Sequence, residues 1–126
     1  MSALPLIARA RSHSASIALR TGATSHTYQD ILDRSAVLAA TVLAEVDDLN
    51  EARVALLVPA GFGYVSAQWA IWRAGGIKVP LCLSATEPEW EYALCDSGAR
   101  VVLTDTTLRE KIAPLCAKLG VRLIDI

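Results

Sequence analysis

Arg53-Val54-Ala55-Leu56-Leu57-Val58, followed beyond Pro59 by Gly61-Phe62-Gly63-Tyr64-Val65-Ser66, is the stretch that decides the fold. Five consecutive apolar residues suit a strand covered on both faces, and the glycine-bearing turn behind them leads into a helix-spaced segment. Three more short runs follow: Ile77-Lys78-Val79-Pro80, Arg100-Val101-Val102-Leu103 and Val121-Arg122-Leu123-Ile124. Strand and helix therefore alternate, which predicts an α/β chain with an open, mostly parallel sheet and helices on both faces.

The helices between these runs have readable ends. From Phe62, apolar residues at Val65, Trp69 and Trp72 follow at steps of three and four, predicting one buried stripe that stops at Gly75-Gly76. Thr86, Pro88 and Glu89 have the spacing of a capping box with proline in the first turn, and Gly98 closes that helix. A last helix is expected to open around Thr106 or Thr107 and end at Gly120, with a break or kink at Pro114, which lacks an amide donor.

Before Arg53 the pattern changes. Ile17 to Arg20 and Ser25 to Tyr28 read as a short β-hairpin. A long amphipathic helix should follow, with Ile31, Leu32, Ser35, Leu38, Ala39, Val42, Leu43 and Val46 on its buried face and Asp30, Asp33, Arg34 and Glu45 in solvent.

Composition narrows the function. The 126 residues are 53% hydrophobic, enough for one core, and 12 basic against 13 acidic side chains leave a net charge of −1. Neither nucleic acid nor an anionic membrane is implied by that balance. Three widely separated cysteines, Cys82, Cys95 and Cys116, fit neither a disulfide framework nor a zinc site; they read as small core residues in a reducing, cytoplasmic setting. Met1 to Ser16 lacks the apolar run of a signal peptide, although its serines, arginines and lack of acids are transit-like features.

Candidate chemistry is sparse. Gly61 to Ser66 stands where a dinucleotide fingerprint would, but the third glycine position holds Ser66, and Pro80-Leu81-Cys82 puts no acid after the next strand. Gly75-Gly76-Ile77-Lys78 joins helix to strand, the wrong polarity for a phosphate loop, and reads as a helix C-cap. His13 and His26 have no ligand or nucleophile partner at a useful spacing and read as surface or turn residues. Glu87, Glu89 and Glu91 fan around a helix, with Glu89 serving as a cap, and Trp69 and Trp72 read as core. No catalytic, cofactor-binding or metal-binding residue is assigned.

Several stretches together resemble the adenylate-forming enzymes, specifically the AMP-forming acyl-CoA synthetases. His26-Thr27-Tyr28-Gln29-Asp30-Ile31-Leu32 resembles the first recurring motif of that family, and Trp72-Arg73-Ala74-Gly75-Gly76-Ile77-Lys78-Val79-Pro80-Leu81 the second. Arg53 to Pro59, and Glu89 through Asp105, are similar to two further family stretches, and Tyr64 to Trp72 looks most like the malonyl-CoA and methylmalonyl-CoA synthetase branch. Pro59-Ala60 and Cys82-Leu83 depart from the family pattern on loops that border its ligand side.

The resemblance implies that residues 1–126 are part of an N-terminal AMP-binding domain whose phosphate-binding loop lies beyond Ile126. It also implies a parent ligase that activates malonate, methylmalonate or a fatty acid. The carboxylate attacks the α-phosphate of ATP, pyrophosphate leaves, and the acyl group passes to the thiol of coenzyme A. ATP, Mg2+ and coenzyme A are expected for the parent and none is expected to bind this segment tightly. The segment alone is expected to be inactive, and its uncovered sheet edges to favour self-association. The alternative from the residues is a free-standing α/β nucleotide-binding module built on Gly61 to Ser66.

Overall fold

In the central strand, successive side chains leave the sheet on opposite sides, and both sides are dry. The computed structural model describes residues 4–126 and contains, in chain order, α1 (Pro5–Ser12), β1 (Ile17–Thr21), β2 (Thr24–Thr27), α2 (Tyr28–Leu43), β3 (Arg53–Leu57), α3 (Phe62–Arg73), β4 (Ile77–Pro80), α4 (Glu87–Ser97), β5 (Val101–Thr104), α5 (Arg109–Leu119) and β6 (Arg122–Asp125). Val54, Leu56 and Val58 pack with Leu103 and Ile124 against α2 and α3, whereas Ala55, Leu57 and Val102 pack against α4 and α5. Helices thus cover both faces, as expected. All pairings in the four-stranded sheet are parallel, in the order β4-β3-β5-β6, and β1 and β2 form a separate antiparallel hairpin.

Local chemistry explains most element ends. Thr86 and Glu89 make the expected reciprocal cap on α4, and Gly98 ends it in a left-handed conformation. A second capping box starts α2: the Asp30 amide donates to Thr27 Oγ1 at 3.1 Å and the Thr27 amide donates to Asp30 Oδ2 at 2.8 Å. Asp30 is therefore a cap as well as a solvated acid, which the helix-face reading alone misses.

Several expectations need correction. Residues 5–12 form α1, which packs Ile7 and Ala10 against Ile31, Leu32 and Trp69. Met1, Ser2 and Ala3, part of the stretch read for a leader, lie outside the described residues. Helix α2 stops at Leu43, so Val46 is exposed instead of buried. In α3 the residues that meet the sheet are Ala67, Ala70, Ile71 and Ala74; Val65, Trp69 and Trp72 form a different stripe that packs toward α1 and α2. Small residues on the sheet side let the helix approach closely, which hydrophobicity alone does not reveal.

Helix α5 begins at Arg109, later than expected, because Asp105 Oδ1 first accepts the amides of Thr107 and Leu108, each at 3.1 Å, in a turn. It continues through Pro114 without a break, with Ile112 and Leu115 buried on either side of the exposed proline. Of the cysteines only Cys116 is buried; Cys82 and Cys95 are exposed, against the core reading. Cys82 lies in a loop whose carbonyl accepts from Trp90 Nε1 at 2.8 Å, so the neighbouring tryptophan fills the core there.

Candidate functional site

The chain leaves β3 toward β4 on one side and later returns to β5 on the other. Their C-terminal connections therefore diverge, and such a switch point opens a crevice at the carboxyl edge of a parallel sheet. A crevice of about 380 Å³ lies there, walled by the Pro59-Ala60-Gly61 turn, Arg34, Asp105 and Ile126. Gly61 has φ +147° and ψ −162°, a conformation that essentially only glycine adopts. Gly63 allows a second close approach, because a β-carbon there would lie 3.1 Å from Ile126 Cδ1.

These positions account for two glycines of the Gly61 to Ser66 stretch without a ligand. Ser66, in the third position, is buried, and its hydroxyl has no hydrogen-bond partner among the described residues. Asp105 is committed to its own turn, with Oδ1 also accepting from Thr107 Oγ1 at 2.7 Å. Arg34 is exposed and also borders an adjacent groove of about 460 Å³ that contains His26, Asp30, Asp33, Val37 and Phe62. The His26 ring lies 4.0 Å from that of Phe62, centroid to centroid, so His26 is half-buried in the hairpin and not a simple surface residue. The uncapped amides at the start of α3 and Arg34 share the crevice with the Asp105 carboxylate, so its lining carries charge of both signs, and it brings together no nucleophile with a base.

The other residues weighed from the sequence are dispersed. Lys78 donates to Tyr64 Oη at 3.2 Å and to Gln68 Oε1, with its ammonium 5.2 Å from the Tyr64 ring centroid and 5.9 Å from that of Trp72. It braces β4 against α3 and does not serve a phosphate loop. Ser12 Oγ donates to the Arg9 carbonyl at 2.7 Å, and His13 Nδ1 lies 3.0 Å from that carbonyl and 3.2 Å from Ser12 Oγ; with the serine hydrogen directed at the carbonyl, this exposed pair is not set as a nucleophile and its base. Glu91 pairs with Lys118 at 2.9 Å. Among the described residues no three His, Cys, Asp or Glu side chains gather as a metal would need.

The Gly75-Gly76 pair has a packing purpose. Leu49 and Glu51 amides donate to the Ala74 and Gly75 carbonyls at 2.9 and 2.8 Å, drawing the 47–52 turn onto the end of α3. A β-carbon on Gly76 would lie 2.8 Å from Leu49 Cδ1 and 3.1 Å from the Ala52 carbonyl oxygen. Arg73 donates to the Leu32 carbonyl at 2.8 Å and to Ser35 Oγ at 2.9 Å, tying α3 to α2. Sequence reasoning missed that contact, since the partners are about forty positions apart.

Comparison with known proteins agrees with this architecture. Mouse (Mus musculus) malonate–CoA ligase ACSF3, mitochondrial, is 36% identical over 127 residues, covering 98% of this chain and 22% of that protein. A feruloyl-CoA synthase from Amycolatopsis sp is 35% identical over 111 residues, covering 88% of the chain and 22% of that protein. Among solved structures, apo MatB from Rhodopseudomonas palustris superposes with a TM-score of 0.78 at 26% identity, covering 94% of this chain and 24% of that one. The chain thus spans about a fifth to a quarter of the length of these relatives. The AMP-binding enzyme family matches residues 6–125, nearly the whole chain, and the chain belongs to that family.

Proposed function

We propose that this chain is the N-terminal part of an ATP-dependent, AMP-forming acid–thiol ligase, with malonate as the first substrate to test and methylmalonate and fatty acids after it. The observation that carries this reading is the 36% identity to malonate–CoA ligases over almost the whole chain, inside a family match of the same extent. One solved relative is ATP-bound MatB, which supports ATP as the nucleotide.

The residues of this segment do not themselves fit a magnesium–nucleotide site. Lys78 is engaged by Tyr64 and Gln68, the described carboxylates do not cluster, and Asp105 is held in its turn. The segment's part in the reaction is to build one end of the sheet that carries the remaining machinery, and alone it is inactive. No step of the reaction is assigned to a residue of this chain. Mg2+ and coenzyme A belong to the parent enzyme in this reading. The free thiols suit a reducing compartment, taken as the cytoplasm.

The test is an assay of the full-length protein with ATP, Mg2+, coenzyme A and, in turn, malonate, methylmalonate and a medium-chain fatty acid. Thioester is read by mass spectrometry and pyrophosphate by a coupled assay. Malonyl-CoA should dominate, and residues 1–126 alone should release no pyrophosphate. If the full-length protein forms no acyl-CoA from any carboxylate, the reading fails; ATP saturation by the short chain would favour a free-standing nucleotide module instead.

A further inference from the structure

We propose that the pocket between α1 and the start of α2, walled by Leu6, Arg9, Ala10, His13 and Tyr28, binds the oxyanion group of a small organic acid or phosphate. The pocket encloses about 340 Å³, near the lower end of small-molecule sites. It shares no lining residue with the sheet-edge crevice.

Leu6, Arg9 and Ala10 lie on one face of α1, and His13 is its C-cap residue. Leu6 and Ala10 give an apolar floor and Arg9 and His13 a polar rim, while Tyr28 of α2 supplies the opposite wall. The Arg9 guanidinium makes no hydrogen bond or ion pair among the described residues, nor does His13 Nε2. Nδ1 lies 3.0 Å from the Arg9 carbonyl and 3.2 Å from Ser12 Oγ, which orients the ring and leaves Nε2 to donate when the imidazole is charged.

No acidic residue is among those that line this pocket. The chain carries three arginines and no acid before Asp30, whereas the remainder has nine basic against thirteen acidic residues. Positive charge is therefore concentrated at this end of a chain whose net charge is −1. An oxyanion bound between Arg9 and a charged His13 receives charge-assisted hydrogen bonds. The apolar floor selects for a short hydrocarbon portion beside the charged group.

The chain contains only two histidines, which makes the test direct. Histidine ring resonances are followed by NMR at fixed ionic strength in mildly acidic buffer while inorganic phosphate, malonate and butyrate are each added. Saturable shifts at His13, with His26 unmoved, are the expected result, and Arg9→Gln should weaken binding by about tenfold, as loss of one charge-assisted contact predicts. Equal shifts at both histidines, no saturation, or an unchanged affinity in Arg9→Gln would overturn the proposal. Sedimentation with phosphatidylserine vesicles separates the two sources of the same chemistry: vesicle binding without saturation by the free anions would move the assignment to a lipid headgroup and sink the small-molecule site. None of these readouts depends on ligase activity, so they can fail while the function proposed above stands.

Discussion

The carboxylate of Asp48 occupies the space beside the Gly75 α-carbon where a β-carbon would project, and Gly75 itself has φ +82°. Both facts exclude a side chain. Gly75→Ala is expected to lower stability by about 1–3 kcal/mol, from left-handed strain and displacement of Asp48. Chemical denaturation checks it, and Gly76→Ala, blocked by Leu49 and the Ala52 backbone, should be at least as damaging. Full stability in both variants would mean that the 47–52 turn is not held against α3 as described.

The two hydrogen bonds from Arg73 to the Leu32 carbonyl and Ser35 Oγ join α2 to α3 across their main interface. Arg73→Met keeps much of the side-chain volume but removes both inter-helix hydrogen bonds, leaving only the Ser35 Oγ bond to the Leu32 carbonyl within α2, with a loss of roughly 1–3 kcal/mol. The midpoint of urea unfolding should fall accordingly. An unchanged midpoint would show that water replaces the guanidinium at little cost.

Ser66 carries a buried hydroxyl with no partner among the described residues. Ser66→Ala removes the unmet desolvation cost while keeping the helix, so a gain of about 0.5–1 kcal/mol is expected. A clear loss of thermal stability would instead reveal a hydrogen bond, or a water, at that hydroxyl.

Pro114 lies exposed inside α5 and removes one helical donor. Pro114→Ala restores that bond and should raise stability by about 1 kcal/mol or more. The melting temperature measures it; a drop would show that the proline fixes a bend on which the packing of Ile112 and Leu115 depends.

The thiols should differ in reactivity. Hydrogen bonding from Ser84 lowers the Cys82 pKa, whereas burial raises that of Cys116. A lowered pKa means more thiolate at neutral pH, so Cys82 is alkylated by iodoacetamide well before Cys116. Ser84→Ala should slow Cys82 labelling at neutral pH and leave Cys116 unaffected. Equal rates for the two cysteines would contradict the assignment.

Much of this architecture was legible in local pattern. The apolar run Val54 to Val58, the Thr86–Glu89 capping box and the Gly75-Gly76 stop each act through neighbours a few positions away, so residue type and spacing suffice to locate strand, helix start and helix end. The same locality misled where an element's fate depended on distant contacts. Cys82 and Cys95 look like core residues beside apolar neighbours, yet the packed helices leave them outside, and Pro114 looks like a breaker, yet packing of Ile112 and Leu115 carries the helix through it.

The sequence by itself determined the α/β class, the number of parallel strands and the family motifs, because backbone preference and hydrophobic period are written in consecutive residues. Only the tertiary structure decided the strand order β4-β3-β5-β6, the Arg73 link to α2, the engagement of Lys78 by Tyr64, and the meeting of Arg9, His13 and Tyr28 around one pocket. Those relationships join residues far apart in the chain, and they follow from which apolar faces bury each other, a choice that no local window contains.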